Sequence, residues 1–131
     1  MDLKILKIAS NTENNKVLDN FTHRSKNKNP ICGDEMEITL MVKNDTVIDM
    51  GYQCKSCVYC QASVSLLSQK IKNKNLEEIK RFVTSCENIF ENTKTVIEKN
   101  WKGFVELFDK QNMSRKECLL LPLRTVLKAL K

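Results

Sequence analysis

Six cysteines stand out in this chain of 131 residues, and their spacing divides them into groups. Cys32 lies in Asn29-Pro30-Ile31-Cys32-Gly33-Asp34, with a carboxylate two residues on. Cys54, Cys57 and Cys60 recur at every third position, Cys118 opens a helical pattern near the end, and Cys86 sits on an apolar stripe. Thiolates are soft ligands suited to zinc or iron–sulfur chemistry, and they are also the attacking species in sulfur transfer. The run C-x-x-C-x-x-C is like part of a ferredoxin cluster run but lacks the closing Cys-Pro. A structural zinc site more often pairs two Cys-x-x-Cys elements, whereas Cys32 and Cys118 are single. Three thiolates joined by the Asp34 carboxylate describe a mixed and more labile site.

The elements that must position these residues can be read from periodicity. Leu3, Ile5, Leu6, Ile8 and Ala9 form a short helical segment. Met36, Ile38, Leu40 and Val42 alternate with more polar residues, and Thr46, Ile48, Met50 and Tyr52 do the same, which predicts two half-buried strands. A two-residue turn at Asn44-Asp45 would set Leu40 against Asp49. A three-residue loop pairs Leu40 with Ile48, Ile38 with Met50 and Met36 with Tyr52, and is the expected register. Continued, it brings Asp34 opposite Cys54, so that Cys32 and Asp34 meet Cys54, Cys57 and Cys60 at one end of the hairpin. After Cys60 the chain reads as helical to its end. Ala62, Leu66 and Leu67 mark one helix, the stripe Leu76, Ile79, Val83, Cys86 and Phe90 a second, and Ile97 to Phe108 a third broken at Gly103. Ser114-Arg115-Lys116-Glu117 fits a capping box that opens the last helix, with Pro122 inside it. In its first turn, Cys118 would feel the helix dipole and the charges of Arg115 and Lys116, both favouring thiolate. The class is α+β: a small antiparallel sheet, the hairpin plus an N-terminal edge strand, covered on one face by helices.

Composition bounds the function. An apolar share of 41% supplies a core, and 131 residues fit one domain over 1–131. No apolar run reaches the length of a membrane span, and the opening segment is broken by Lys4 and Lys7, so no signal peptide is expected. A cytoplasmic location follows as the expectation, where thiols stay reduced and disulfides are rare. The net charge of +6 comes with 18 lysines against 4 arginines, 13 asparagines and 3 alanines. That usage resembles the product of an AT-rich coding sequence, and the lysines lack the aromatic interleaving of a nucleic-acid binder. They read as a solvated surface.

Taken together, Asn29-Pro30-x-Cys32-Gly33-Asp34, Cys57-x-x-Cys60-Gln61-Ala62-Ser63-x-Ser65 and Arg115-x-x-Cys118-x-Leu120-Leu121-Pro122 resemble the three cysteine motifs of the IscU/NifU/SufU iron–sulfur cluster assembly scaffolds. The resemblance implies a SufE/NifU-like α+β fold. It implies a protein that accepts sulfur from a cysteine desulfurase and assembles a [2Fe–2S] cluster for apo iron–sulfur acceptor proteins or, in the SufU branch, binds zinc and relays sulfur. Carried over by motif, Cys32, Asp34, Cys57 and Cys118 hold the metal, Cys118 or Cys32 takes the persulfide, and Arg115 serves beside them. The chain is more similar to SufU than to IscU. Arg115 stands three residues before the last cysteine, Glu117 stands where IscU has histidine, and Asp109-Lys110-Gln111-Asn112-Met113 lies where IscU offers Leu-Pro-Pro-Val-Lys to its Hsp70-type chaperone.

The remaining candidates have plainer readings. Cys54 and Cys60 stay open between substitute ligands and incidental thiols. Cys86 reads as packing, and His23, the one histidine, as a surface residue rather than a ligand. Two further classes make different predictions. A zinc-stabilised nucleic-acid-binding module would bind DNA or RNA with strong salt dependence. A ferredoxin-like electron carrier would hold a cluster that survives chelators.

Overall fold

The computed structural model describes residues 3–30, 33–92 and 95–131. The chain opens with α1 (Leu3–Ala9) and a polar loop, then builds β1 (His23–Lys28), β2 (Glu35–Lys43) and β3 (Thr46–Lys55). There follow α2 (Val58–Lys70), the short β4 (Lys74–Asn75), α3 (Leu76–Asn88), α4 (Phe104–Leu107) and α5 (Lys116–Leu130). Two short 3-10 segments, Lys99–Trp101 and Lys110–Arg115, flank α4. The four strands form one antiparallel sheet in the order β1-β2-β3-β4, and α5 packs on β1 and β2 while α2 lies between α1 and α5. The α+β class with a hairpin and a preceding edge strand is as expected. The two-residue β4 is an addition, because so short a strand carries no periodicity.

The hairpin register differs from the expected one. Asn44 and Asp45 both take positive φ, 52° and 58°, as the two central residues of a two-residue hairpin turn do. Asn and Asp tolerate that region better than other non-glycine residues. Lys43 therefore pairs with Thr46 and Val42 with Val47, but the next pair is Met41 with Asp49. Ile48 is the extra residue of a β-bulge. The bulge removes the conflict that a plain two-residue turn would create: Leu40 faces Met50 instead of Asp49, Ile38 faces Tyr52, and Met36 faces Cys54. It also exchanges two side chains between faces. Val47 is fully buried, whereas Ile48, expected on the apolar face, is 39% exposed. Asp34 precedes the strand and is not paired with Cys54, yet it remains at the same end of the hairpin.

α2 is buried nearly all round, and its buried residues include Ser63, Ser65 and Ser68. Each of these hydroxyls donates to a carbonyl at 2.7 Å: Ser63 to Leu119 on α5, Ser65 to Asn11 in the N-terminal loop, and Ser68 to Ser65. The buried hydroxyls are thereby satisfied, and two of them tie α2 to its neighbours. The N-terminal loop also lies against β3, where Asn15 bridges Tyr52. Gly51 allows that approach, since a Cβ there would stand 2.4 Å from the Lys16 carbonyl oxygen.

The segment after α3 is irregular, and aromatic packing holds it. Trp101 stacks on Phe82 with centroids 4.0 Å apart, and Phe104 meets Phe82 edge-on at 4.8 Å. Gly103, at φ 101°, turns the chain between Trp101 and α4. The start of the last helix also departs from expectation. Ser114 lies in the 3-10 segment and caps nothing; Arg115 occupies the N-cap position without a side-chain cap. Asp109 caps instead, accepting from the Gln111 amide at 3.0 Å, so the chain begins to coil five residues earlier than the capping box suggests.

Candidate metal and sulfur site

Three elements deliver one side chain each to a common point. Asp34 immediately precedes β2, Cys57 follows β3 as the N-cap residue of α2, and Cys118 is in the first turn of α5. A carboxylate oxygen of Asp34 and the two Sγ atoms all lie within 4.8 Å of one another. The N-termini of two long helices, α2 and α5, thus meet at this point, and their dipoles favour anionic groups there. Cys118 and Asp34 are buried and Cys57 is half-buried. Pro122, four residues past Cys118 inside α5, has no amide to give to the Cys118 carbonyl.

Asp34 carries the unsatisfied atom of the group among the described residues. Its Oδ1 accepts a hydrogen bond from the Cys57 amide at 3.3 Å. Its Oδ2 is buried and has no hydrogen-bond partner among the described residues. An unsatisfied buried carboxylate oxygen is costly, and a cation bound by the two thiolates would satisfy it. The donors suit zinc or iron, which accept thiolate and carboxylate together. Beside it, the Asn29 amide donates to the Asp34 carbonyl and the Gly33 amide to the Asn29 carbonyl, each at 2.8 Å. Gly33 has φ 77°, a conformation that favours glycine. Cys32, the remaining expected ligand, lies outside the described residues.

The two extra thiols separate clearly. Cys60 is fully buried and burial pushes its thiol far up, so it stays protonated and packs in the core. Cys54 is half-buried and lines a cleft of about 840 Å³ with Lys26, Lys28, Lys55 and Lys128. Its thiol is also pushed up, first by burial and then by the charge of Asp34. The Ser56 hydroxyl is buried beside both thiols and has no partner of ordinary geometry among the described residues. Neither Cys54 nor Cys60 belongs to the group formed by Asp34, Cys57 and Cys118. Cys86 is fully buried, its thiol raised by burial and by Glu87. Among the described residues none of the five cysteines forms a disulfide.

Arg115 is exposed, with its guanidinium 5.3 Å from the ring centroid of Tyr59 in the first turn of α2. That is a cation–π contact across the two helices that carry the thiols. Periodicity offered no signal for Tyr59, because the contact spans α2 and α5. His23 lies on β1 opposite Leu40, its Nδ1 2.8 Å from the Thr22 hydroxyl, and is not part of the metal-ligating group. Two acids and an arginine that sequence reading did not connect, Glu87, Glu117 and Arg124, form a bridge between α3 and α5. The spacing of Glu117 and Arg124 could have suggested a shared helix face; nothing local points to Glu87.

The sequence and the fold are both similar to those of known proteins. Over 128 residues, 97% of this chain and 89% of the relative, the sequence is 30% identical to the iron–sulfur cluster assembly scaffold protein IscU of Thermotoga maritima. Over 49 residues, 37% of this chain and 33% of the relative, it is 37% identical to the zinc-dependent sulfurtransferase SufU of Bacillus subtilis. The fold matches the SUF-system protein FiSufU of Fervidobacterium islandicum AW-1 at a TM-score of 0.88 and 24% identity, covering 100% of this chain and 96% of the other. It matches a nitrogen-fixing NifU-like protein (N-terminal) from Brucella abortus at 0.89 and 18% identity, covering 98% and 90%. Residues 2–102, with Cys32, Asp34 and Cys57 among them, match the family described as the NifU-like N terminal domain. By its motifs, its fold and these matches, the chain belongs to the NifU-like N-terminal domain family.

Proposed function

We propose that this protein is an iron–sulfur cluster assembly scaffold that binds iron or zinc through Asp34, Cys57 and Cys118, with Cys32 as the fourth ligand. The observation that supports it most is the convergence of Asp34, Cys57 and Cys118 around a buried carboxylate oxygen that has no partner among the described residues. Three thiolates and one carboxylate complete the four donors of a tetrahedral ion. A single carboxylate among soft ligands keeps one position exchangeable, which suits a site that must release what it holds.

Sulfur would come from a cysteine desulfurase. The thiolate of Cys118 or Cys32 attacks the terminal sulfur of the donor's persulfide, the donor's S–S bond breaks, and the donor leaves as a thiolate. The acceptor then carries the persulfide and its proton. Arg115, poised on Tyr59 beside the two helix starts, supplies a positive charge near the attacking sulfur. Apo iron–sulfur proteins would receive the product. The local likeness to the zinc-dependent sulfurtransferase of Bacillus subtilis favours a second reading, in which zinc is resident and only sulfur is passed on.

Desulfurase turnover, measured with and without the purified protein and followed by mass spectrometry for a persulfide, separates the two. Reconstitution of a visible cluster without stimulation of the desulfurase selects the scaffold. Stimulation with zinc retained and a persulfide on Cys118 or Cys32 selects the relay. Neither cluster nor persulfide would refute both.

A further inference from the structure

Glu117 is the acid nearest in sequence to a thiol of the site, one residue before Cys118 in the first turn of α5. A helix N-terminus favours an anion at that position, and a swing of the side chain would carry a second carboxylate toward the metal. Yet Glu117 is not part of the Asp34, Cys57 and Cys118 group. Its Oε2 accepts a hydrogen bond from Arg124 Nη1. The same guanidinium is gripped from α3, where Nε donates to Glu87 Oε2 at 2.9 Å and Nη2 to Glu87 Oε1 at 2.7 Å. The bidentate fork fixes its plane and direction. Glu87 lies in the last turn of α3, which holds no basic residue, so Arg124 supplies from α5 the cation that helix end lacks. A staple between α3 and α5 needs only Glu87. The third hydrogen bond goes to the one acid that adjoins a metal-binding thiol.

We propose that Arg124 is a positioning residue that holds Glu117 out of the metal's ligand set. The inference rests on the metal-binding reading given above. Three thiolates and Asp34 already make four donors. A free Glu117 carboxylate would compete with Cys118 or raise the coordination number, and it would harden a soft site. Arg124 thereby acts on ligand number without touching the metal.

Cobalt(II), used in place of zinc on the full chain, tests this, because its visible d–d bands report coordination number and its sulfur charge-transfer band reports thiolate count. Wild type, E117Q and E87Q are expected to give the same spectrum, since none of them releases a carboxylate toward the ion. R124M is expected to lose d–d intensity as the carboxylate enters, and R124M/E117Q to recover the wild-type spectrum. Glu87 still lacks its cation in that double variant, so recovery cannot come from a repaired staple. An R124M spectrum identical to wild type overturns the proposal, as does failure of the double variant to recover. Should R124M not fold, a changed spectrum in E117Q or E87Q overturns it equally. A wild-type chain that takes up no cobalt at all refutes the metal-binding reading itself, and this proposal with it.

Discussion

Cys118 and Cys86 are both buried thiols on helices, and of the two Cys118 alone stands within 4.8 Å of a second thiol and a carboxylate. Cys86 belongs to the apolar core, four residues along α3 from Phe82, which packs on Trp101 and Phe104. Around Cys118 the chain has put a second thiol, a carboxylate with an oxygen unpartnered among the described residues, and two helix N-termini. Burial alone raises a thiol and makes it inert, as it does at Cys86 and Cys60. Burial together with unsatisfied polar partners stores a demand that a cation can meet. The difference lies in what surrounds the sulfur, not in how deeply it is buried.

The sharpest way to break this contrast is to delete one thiol from each region. Cys57→Ala or Cys118→Ala should weaken zinc retention by more than about 100-fold, beyond the 10–100-fold typical of losing an outer partner. Competition against a chelator measures it, and a zinc affinity unchanged in both variants would mean the metal sits elsewhere. In the aromatic region, Trp101→Ala should cost about 3–5 kcal/mol in urea unfolding and leave the zinc stoichiometry of the folded fraction intact. If zinc is lost along with Trp101, the two regions are not independent.

Cys86→Ala should cost about 1 kcal/mol at neutral pH through the small cavity it leaves. It also carries a pH signature. The folded thiol titrates above the unfolded one, so the native state keeps its proton where the unfolded state has lost it. The contribution is intact below the ordinary thiol value of about 8.5 and is lost as pH rises through the folded value. Unfolding of the metal-free protein at rising alkaline pH should show stability falling, with a shallower fall in Cys86→Ala. An identical slope would assign the effect to the other groups that shift the same way, Cys60, Cys54 and Tyr52. The smallest effect belongs to Asp34→Ala in the metal-free protein, within about 1 kcal/mol of wild type. Losing the bond from the Cys57 amide is offset by removing a buried oxygen that has no partner among the described residues. A large loss would show that the carboxylate is structural in the absence of metal.

What could be read from the chain depended on range. The alternation through Met36, Ile38 and Leu40 and the stripe through Ile79, Val83 and Cys86 are local patterns, and the structure buries both. The register failed at one residue, Ile48. Periodicity cannot show a bulge, and the loop that best aligned the apolar residues was not the turn that Asn44 and Asp45 adopt. The capping box failed because Asp109 starts the coil earlier. In the site, Asp34 and the thiols of Cys57 and Cys118 were legible by type, whereas the contacts of Arg115 with Tyr59 and of Arg124 with Glu87 join helices distant in sequence.

The hydroxyl of Ser63 has one more consequence. It is fixed to the Leu119 carbonyl, one residue past Cys118, from a position six residues past Cys57 on α2. The two thiols are therefore carried on levers pinned together close to their tips. Their separation is preset before any ion arrives, and the ordering entropy of bringing them together is spent during folding and not at capture. Cargo exchange at such a gauge can proceed by swapping ligands around a fixed span, without the helices having to part.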